Sequence, residues 1–292
     1  MESKDPKSNL SLSILVPAYN EEKSIEKTIT ELLSFKSFFK DFEIIVINDG
    51  SSDRTGEVVR DLPVTCIDHE LNRGYGAALK SGLVAAKHEF ILITDADGTY
   101  PLDQIPALAE EAAQYDMVVG ARTGKVVQVP LLRRPAKWLI TKLANYLSGR
   151  RIPDLNSGMR IFRKDIALKY LTLYPDGFSF TTTITLAMLT NHFRVKFVPI
   201  NYFKRVGKSS IHPIRDFINF TILIIRICAF FKPLNVFVPP ALIVIFLGLL
   251  KGSRDFIVEG NVGLLAGILI LAGIQMIFIA LLADLMDQRM KL

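Results

Sequence analysis

From Leu10 to about Arg215 the chain switches between two hydrophobic periods. Apolar runs of strand length fall at Leu12 to Val16, Glu43 to Asn48, Val64 to Asp68, Phe90 to Thr94 and Met117 to Gly120. Between them Ile25 to Phe35, Asp53 to Asp61, Tyr75 to Lys87 and Leu102 to Gln114 carry apolar residues at helical spacing. This alternation predicts an α/β fold: a mostly parallel sheet covered by helices on both faces. Ligands of such sheets bind beyond the carboxyl ends of the strands.

From Ile218 onward the pattern changes, because apolar residues run together and charge thins out. Val262 to Ala283 has Gln275 as its only strongly polar member and, at ~1.5 Å per residue, is long enough for a ~30 Å hydrocarbon core. Leu234 to Leu250 is read as a second span, with Pro239 and Pro240 near its start. Lys251 to Asn261 is expected to be the hairpin loop between them. Two spans return the chain to its starting side. Asp216 to Lys232, apolar but broken by Asn219, Arg226 and Lys232, is expected to lie as an interfacial amphipathic helix.

Three parts follow: a domain over residues 1–215, an interfacial helix over 216–232, and a membrane hairpin over 233–292 with spans at about 234–250 and 262–283. Met1 to Asn9 is polar and lacks the apolar core of an export signal, so the N-terminal domain and both termini are expected on the cytoplasmic side. A net charge of +6 suits contact with anionic lipid headgroups, and no nucleic-acid partner is expected. Cys66 and Cys228 match no metal-ligand or disulfide spacing and read as small core residues.

Three polar clusters follow the strands: Pro17-Ala18-Tyr19-Asn20-Glu21 after the first, Asn48-Asp49-Gly50-Ser51-Ser52 after the second, and Asp95-Ala96-Asp97-Gly98 after the fourth. Each alone reads as a turn, but three at strand ends define one crevice. Asp95 and Asp97 place two carboxylates beside an uncharged strand, an arrangement that a hard divalent cation, Mg²⁺ or Mn²⁺, compensates while bridging to a diphosphate. Asp49 can accept from a ring N–H of a base. The glycines of Asn72-Arg73-Gly74-Tyr75-Gly76 permit close backbone approach, and Arg73 supplies charge.

These residues together resemble the family 2 glycosyltransferases with a GT-A fold. The motifs are VPAYNE at Val16 to Glu21, INDGSSD at Ile47 to Asp53, NRGYGAAL at Asn72 to Leu79 and DADGTYP at Asp95 to Pro101. They continue with GAR at Gly120 to Arg122, DLNSGMRIFRK at Asp154 to Lys164, and Arg205-Val206-Gly207-Lys208-Ser209. Within that family the chain looks most like the dolichol-phosphate mannose synthases and related polyprenyl-phosphate glycosyltransferases.

The resemblance implies an inverting enzyme. Pro17, Ala18, Tyr19, Asn20, Glu21, Asp49, Gly50 and Arg73 would hold the nucleotide-sugar with Asp95, Ala96, Asp97, Arg205 and Lys208. Asp95 and Asp97 would take the metal, and Arg122 the acceptor phosphate. Relatives commonly carry Gln two residues after the second Asp as a further metal ligand, where this chain has Thr99.

A polyprenyl phosphate acceptor, with a second pKa near ~6, is a nucleophile needing no general base. Arg133, Arg134, Lys137 and Lys142, interleaved with Trp138, Leu139, Leu143 and Tyr146, fit an interfacial helix that admits its phosphate, with Arg133, Arg134 and Lys137 as phosphate contacts beside Arg122. Were the acceptor a sugar hydroxyl instead, Asp154 would be the base. A non-catalytic membrane tether is the third reading. Exposed apolar helix faces in the anchor leave room for a homo-oligomer.

Overall fold

The computed structural model describes residues 8–125, 134–177, 179–203 and 213–290. Seven strands form one sheet in the order β3-β2-β1-β4-β6-β5-β7. They are β1 (Ser8–Ala18), β2 (Phe39–Asp49), β3 (Thr65–His69), β4 (Phe90–Ile93), β5 (Met117–Ala121), β6 (Arg160–Arg163) and β7 (Val195–Pro199). All pairs are parallel except those of β6, which runs antiparallel between β4 and β5.

The five expected strands are present. β6 and β7 were not expected: β6 is only four residues long with arginines at both ends, and β7 is half-buried, so neither shows a long apolar run.

Helices α1 (Ile25–Leu33), α2 (Thr55–Arg60), α3 (Tyr75–Ala85) and α4 (Ile105–Ala112) connect the first five strands. The sheet's two faces bury separate cores. One packs Leu12, Ile14 and Val16 against α1 and α4; the other packs Leu15, Ile45 and Ile47 against α3 and α7 (Phe180–Thr190). Every residue of α7 is buried, including five threonines, which hides any amphipathic signature. A short α6 (Lys164–Lys169) follows β6 directly.

α5 (Arg134–Ser148), α7 and α8 (Pro213–Phe231) build a third core from Ala144, Leu147, Leu186, Ile224, Ile227, Cys228 and Phe231. Helix α8 covers the segment expected at 216–232, so the boundary drawn after residue 215 falls inside its first turn. One face packs on α5 and α7, while Ile218, Ile222, Ile225 and Phe230 stay exposed.

Two helices, α9 (Pro233–Glu259) and α10 (Leu264–Met290), form the C-terminal hairpin, and both are long and apolar enough to cross a membrane. The loop expected at Lys251 to Asn261 is corrected here. Helix α9 runs through it to Glu259, and the turn is confined to the few residues before Leu264. Lys251 and Asp255 pair one turn apart, which satisfies two charges within the helix, and Gly260 closes it in the left-handed conformation at φ 72°.

The hairpin is tied to the rest of the protein, since Asn235 Nδ2 donates to the Leu147 carbonyl at 3.1 Å and Val236 packs on the third core.

Candidate active site

Because β2, β1 and β4 are neighbours in the sheet, the three polar clusters that follow them lie side by side at its carboxyl edge. Hydrogen bonds knit the first two loops. The Asn20 N–H donates to Ser51 Oγ at 3.0 Å, and Asn20 Oδ1 accepts from the Ser52 N–H at 2.8 Å. Asn20 adopts φ 56°, a left-handed conformation that its two cross-loop bonds sustain. Thr28 Oγ1 on α1 donates to the Ala96 carbonyl at 3.2 Å and so ties in the third loop. Tyr19 projects into solvent at this edge, whereas Ala18 and Ala96 are buried.

Asp97 is buried at 6% exposure, and both the backbone N–H (3.1 Å) and Oγ1 (2.6 Å) of the fully buried Thr99 donate to its Oδ1. Asp95 Oδ1 accepts from Tyr75 Oη at 3.1 Å. Burial pushes the Tyr75 phenol well above its ordinary pKa, so it is a standing donor. A Cβ on Gly158 would lie 3.1 Å from both Asp95 oxygens, so glycine is what permits this close approach to the carboxylate. Two carboxylates on one loop are a donor set that suits a hard divalent cation. Among the described residues no group of three or more His, Cys, Asp or Glu converges, so further ligands would come from diphosphate and water.

Beside this pair lies a second charged unit. Arg122, after β5, donates from Nε to Asp154 Oδ2 at 2.7 Å and from Nη2 to Asp154 Oδ1 at 2.9 Å. The backbone N–H groups of Arg122 and Asn156 donate to the same carboxylate, at 3.0 and 3.3 Å. Asp154 is fully buried. Burial disfavours the Arg122 cation, but Tyr100 and Asp154 outweigh it and hold its pKa above the usual value. The guanidinium also sits 5.1 Å from the Tyr202 ring centroid.

Phe203 N–H donates to the Thr99 carbonyl at 3.0 Å, so the chain leaves toward residues 204–212 directly from the carboxylate loop. Arg133, Arg205 and Lys208 lie outside the described residues, as do the side chains of Arg134 and Lys137 in the first turn of α5.

Several residues here were missed from sequence. Arg160, fully buried, donates to the Ser157 and Thr181 carbonyls and to Thr185 Oγ1, and burial lowers its pKa to about 10. Tyr100 Oη accepts from the Gly158 N–H at 2.6 Å and braces the loop that faces Asp95. The glycines of the NRGYG segment receive protein backbone. The N–H groups of Gly76 and Ala77 donate to the carbonyls of Gly177 and Asp176, and a Cβ on Gly74 would stand 2.6 Å from the Asp176 carbonyl oxygen. Arg73 is exposed at the surface of this turn.

Asp49, expected to face a base, is held on several sides: Oδ1 accepts from the Arg73 N–H at 3.0 Å, and Oδ2 from the Gly74 N–H at 2.8 Å. Its Oδ1 also lies 2.6 Å from His69 Nδ1.

Residues 13–171 match the model of glycosyl transferase family 2, more than half of the chain. The chain belongs to glycosyl transferase family 2. This family 2 glycosyltransferase also matches the GtrB C-terminal hairpin over residues 232–288.

It is 29% identical over 204 residues to a dolichyl-phosphate hexose transferase of Haloferax volcanii, a match covering 69% of this chain and 87% of the relative. It is 32% identical over 197 residues to an undecaprenyl-phosphate 4-deoxy-4-formamido-L-arabinose transferase of Pectobacterium carotovorum, covering 65% of this chain and 54% of that one. The chain thus spans about half the length of the second relative. Its fold is similar to glucosyl-3-phosphoglycerate synthase from Mycobacterium tuberculosis, solved with Mn²⁺, UDP and phosphoglyceric acid. The TM-score is 0.59 at 17% identity, over 75% of this chain and 78% of that one. The fold is therefore GT-A-like, and the protein is a glycosyltransferase.

Proposed function

We propose that this enzyme transfers a hexose from a GDP- or UDP-sugar to a polyprenyl phosphate, dolichyl or undecaprenyl, at the cytoplasmic membrane face, with inversion. The observation that carries the lipid acceptor is the join between site and anchor. α5, which shares the core next to the DLNSGMR loop with α8, is bonded to the first turn of an apolar hairpin through Asn235. The named acceptors of the two curated relatives, dolichyl and undecaprenyl phosphate, support the same reading.

The donor's nucleoside lies against the loops of β1 and β2, with Tyr19 and Asp49 facing it. Asp95 and Asp97 would hold Mg²⁺ or Mn²⁺, which when bound offsets the charge of the leaving diphosphate. Thr99 fixes Asp97 by donating to Oδ1, the role of a supporting residue rather than of a metal ligand. Arg122, pre-oriented by Asp154, receives the acceptor phosphate; its fork engages Nε and Nη2 of a group with about five N–H donors. A phosphate oxygen attacks the anomeric carbon, the bond from that carbon to the diphosphate oxygen breaks, and the nucleoside diphosphate departs. The phosphate is already dianionic, so no proton is removed.

Transfer to a sugar hydroxyl with Asp154 as base is the second reading. It would require Asp154 to leave a buried fork with Arg122 in order to take a proton.

The test is to incubate membranes bearing the protein with Mg²⁺ or Mn²⁺, polyprenyl phosphate and a panel of labelled nucleotide-sugars. Labelled lipid that disappears with Asp97→Ala is the expected result. Label found only on oligosaccharide would overturn the lipid acceptor, and label unaffected by Asp97→Ala would overturn the metal assignment.

A further inference from the structure

His69 ends β3 at the carboxyl edge of the sheet and belongs to none of the motifs described above. Its Nδ1 lies 2.6 Å from Asp49 Oδ1 and its Nε2 lies 2.9 Å from Ser81 Oγ on α3. The side chains of His69 and Asp49 are each only 5% exposed, so water does not compete for these bonds. The chemistry of the groups fixes the direction of the chain. An ionised carboxylate only accepts, so Nδ1 carries the proton and donates to Asp49; in the neutral imidazole Nε2 then accepts from the Ser81 hydroxyl.

This chain of bonds has a consequence for the carboxylate. Oδ1 already receives His69 and the Arg73 N–H, whereas Oδ2 receives the Gly74 N–H alone among the described residues. With about two acceptor directions per oxygen, Oδ2 is the oxygen with capacity for a ligand.

We propose that His69, oriented by Ser81, is a positioning residue for nucleotide selection: it locks Asp49 so that Oδ2 is presented to a base bearing a ring N–H. Uracil and guanine present such a donor; cytosine and adenine present a ring nitrogen acceptor at the corresponding position, which an ionised carboxylate repels. The inference rests on the reading that Asp49 faces the nucleoside. Its effect falls on donor affinity and base choice, because His69 is separated by the whole nucleoside from the bond that breaks.

The experiment compares wild type with His69→Ala, His69→Asn, Ser81→Ala and Asp49→Asn in detergent-solubilised full-length protein, using the nucleotide-sugar the wild type accepts and saturating polyprenyl phosphate. His69→Ala is expected to raise KM for the donor about tenfold with kcat within about twofold, and to narrow the preference over the matching cytidine or adenosine nucleotide in competition. Asn places an amide N–H near the position of Nδ1, so His69→Asn should restore most of the affinity. Ser81→Ala should fall between the two.

A kcat loss at unchanged KM in His69→Ala, or a KM rise that His69→Asn leaves uncorrected, would overturn the proposal. If Asp49→Asn raises KM and His69→Ala does not, the positioning role fails while Asp49 keeps its place. If Asp49→Asn itself leaves KM and base preference unchanged, the nucleoside reading fails. Thermal midpoints with and without nucleotide keep folding apart from binding, and a variant whose apo midpoint matches wild type while its nucleotide-induced shift shrinks supports the proposal.

Discussion

Arg122 and Asp154 form a two-bond fork, 2.7 and 2.9 Å, in which the carboxylate is fully buried and the guanidinium nearly so. They come from segments far apart in sequence, so the pair fastens the DLNSGMR loop to the end of β5. Removing either partner strands the other's charge, at about 3 kcal/mol or more. Asp154→Ala and Arg122→Ala should each lower the thermal midpoint, and the double variant should lose much less than the sum. A coupling below about 0.5 kcal/mol in that cycle would show the two groups to be independent. Arg122→Ala should also weaken acceptor use more than nucleotide binding, read as separate KM values.

Thr99 holds Asp97 Oδ1 at 2.6 Å from a fully buried position. Thr99→Ala removes that donor and loosens Asp97 while leaving both carboxylates in the sequence. The metal concentration for half-maximal activity should rise about tenfold, and Thr99→Ser should restore it. Equal metal requirement in all three proteins would deny Thr99 any supporting role.

Gly158 faces both oxygens of Asp95, and an added methyl would sit 3.1 Å from each. Gly158→Ala is expected to reduce turnover at least tenfold at limiting metal while the protein remains folded by circular dichroism. Unchanged metal dependence would mean that the cation does not approach Asp95 from the side that faces Gly158.

The Asp68 carboxylate accepts from Asn48 Nδ2 at 2.7 Å and from Arg60 Nη2 at 3.0 Å, and the Asn48 bond chiefly holds its pKa below the ordinary 3.8. A depressed folded-state pKa stabilises the protein above the unfolded value, and that stability disappears as pH falls through 3.8 toward the folded pKa. Asp68→Asn should therefore flatten the fall in thermal midpoint between about pH 5 and pH 3. An acid slope identical to wild type would show that Asp68 is not linked to folding there.

The parts of the fold legible in sequence were those with one unbroken period. β1, β2 and β4 each carry an unbroken apolar run, at 14–18, 44–47 and 90–93, and α1 buries Ile25, Ile29 and Leu32 on one clear stripe. What escaped was decided by tertiary contact. α7 is buried all round, so its five threonines carry no surface pattern, and Arg160 is a charge satisfied within the core in part by the Thr181 carbonyl, distant in sequence. The hairpin turn was misplaced because Lys251 and Asp255 cancel each other in a helix that counts them as polar breaks.

At the site, loop motifs signalled Asp95, Asp97 and Asp49. His69 carried only one signal, its place as the last residue of a strand whose carboxyl end enters the crevice. The fork between Arg122 and Asp154 was invisible because each residue was read for a separate role.

The bond from Asn235 to Leu147 means that the first turn of the hairpin and the last turn of α5 move together. A catalytic domain clamped in this way to bilayer-spanning helices searches for a lipid in two dimensions. On the proposed acceptor its rate should therefore follow the mole fraction of polyprenyl phosphate in the bilayer, and diluting vesicles of fixed composition into buffer holding the same donor and metal concentrations should leave turnover per enzyme unchanged.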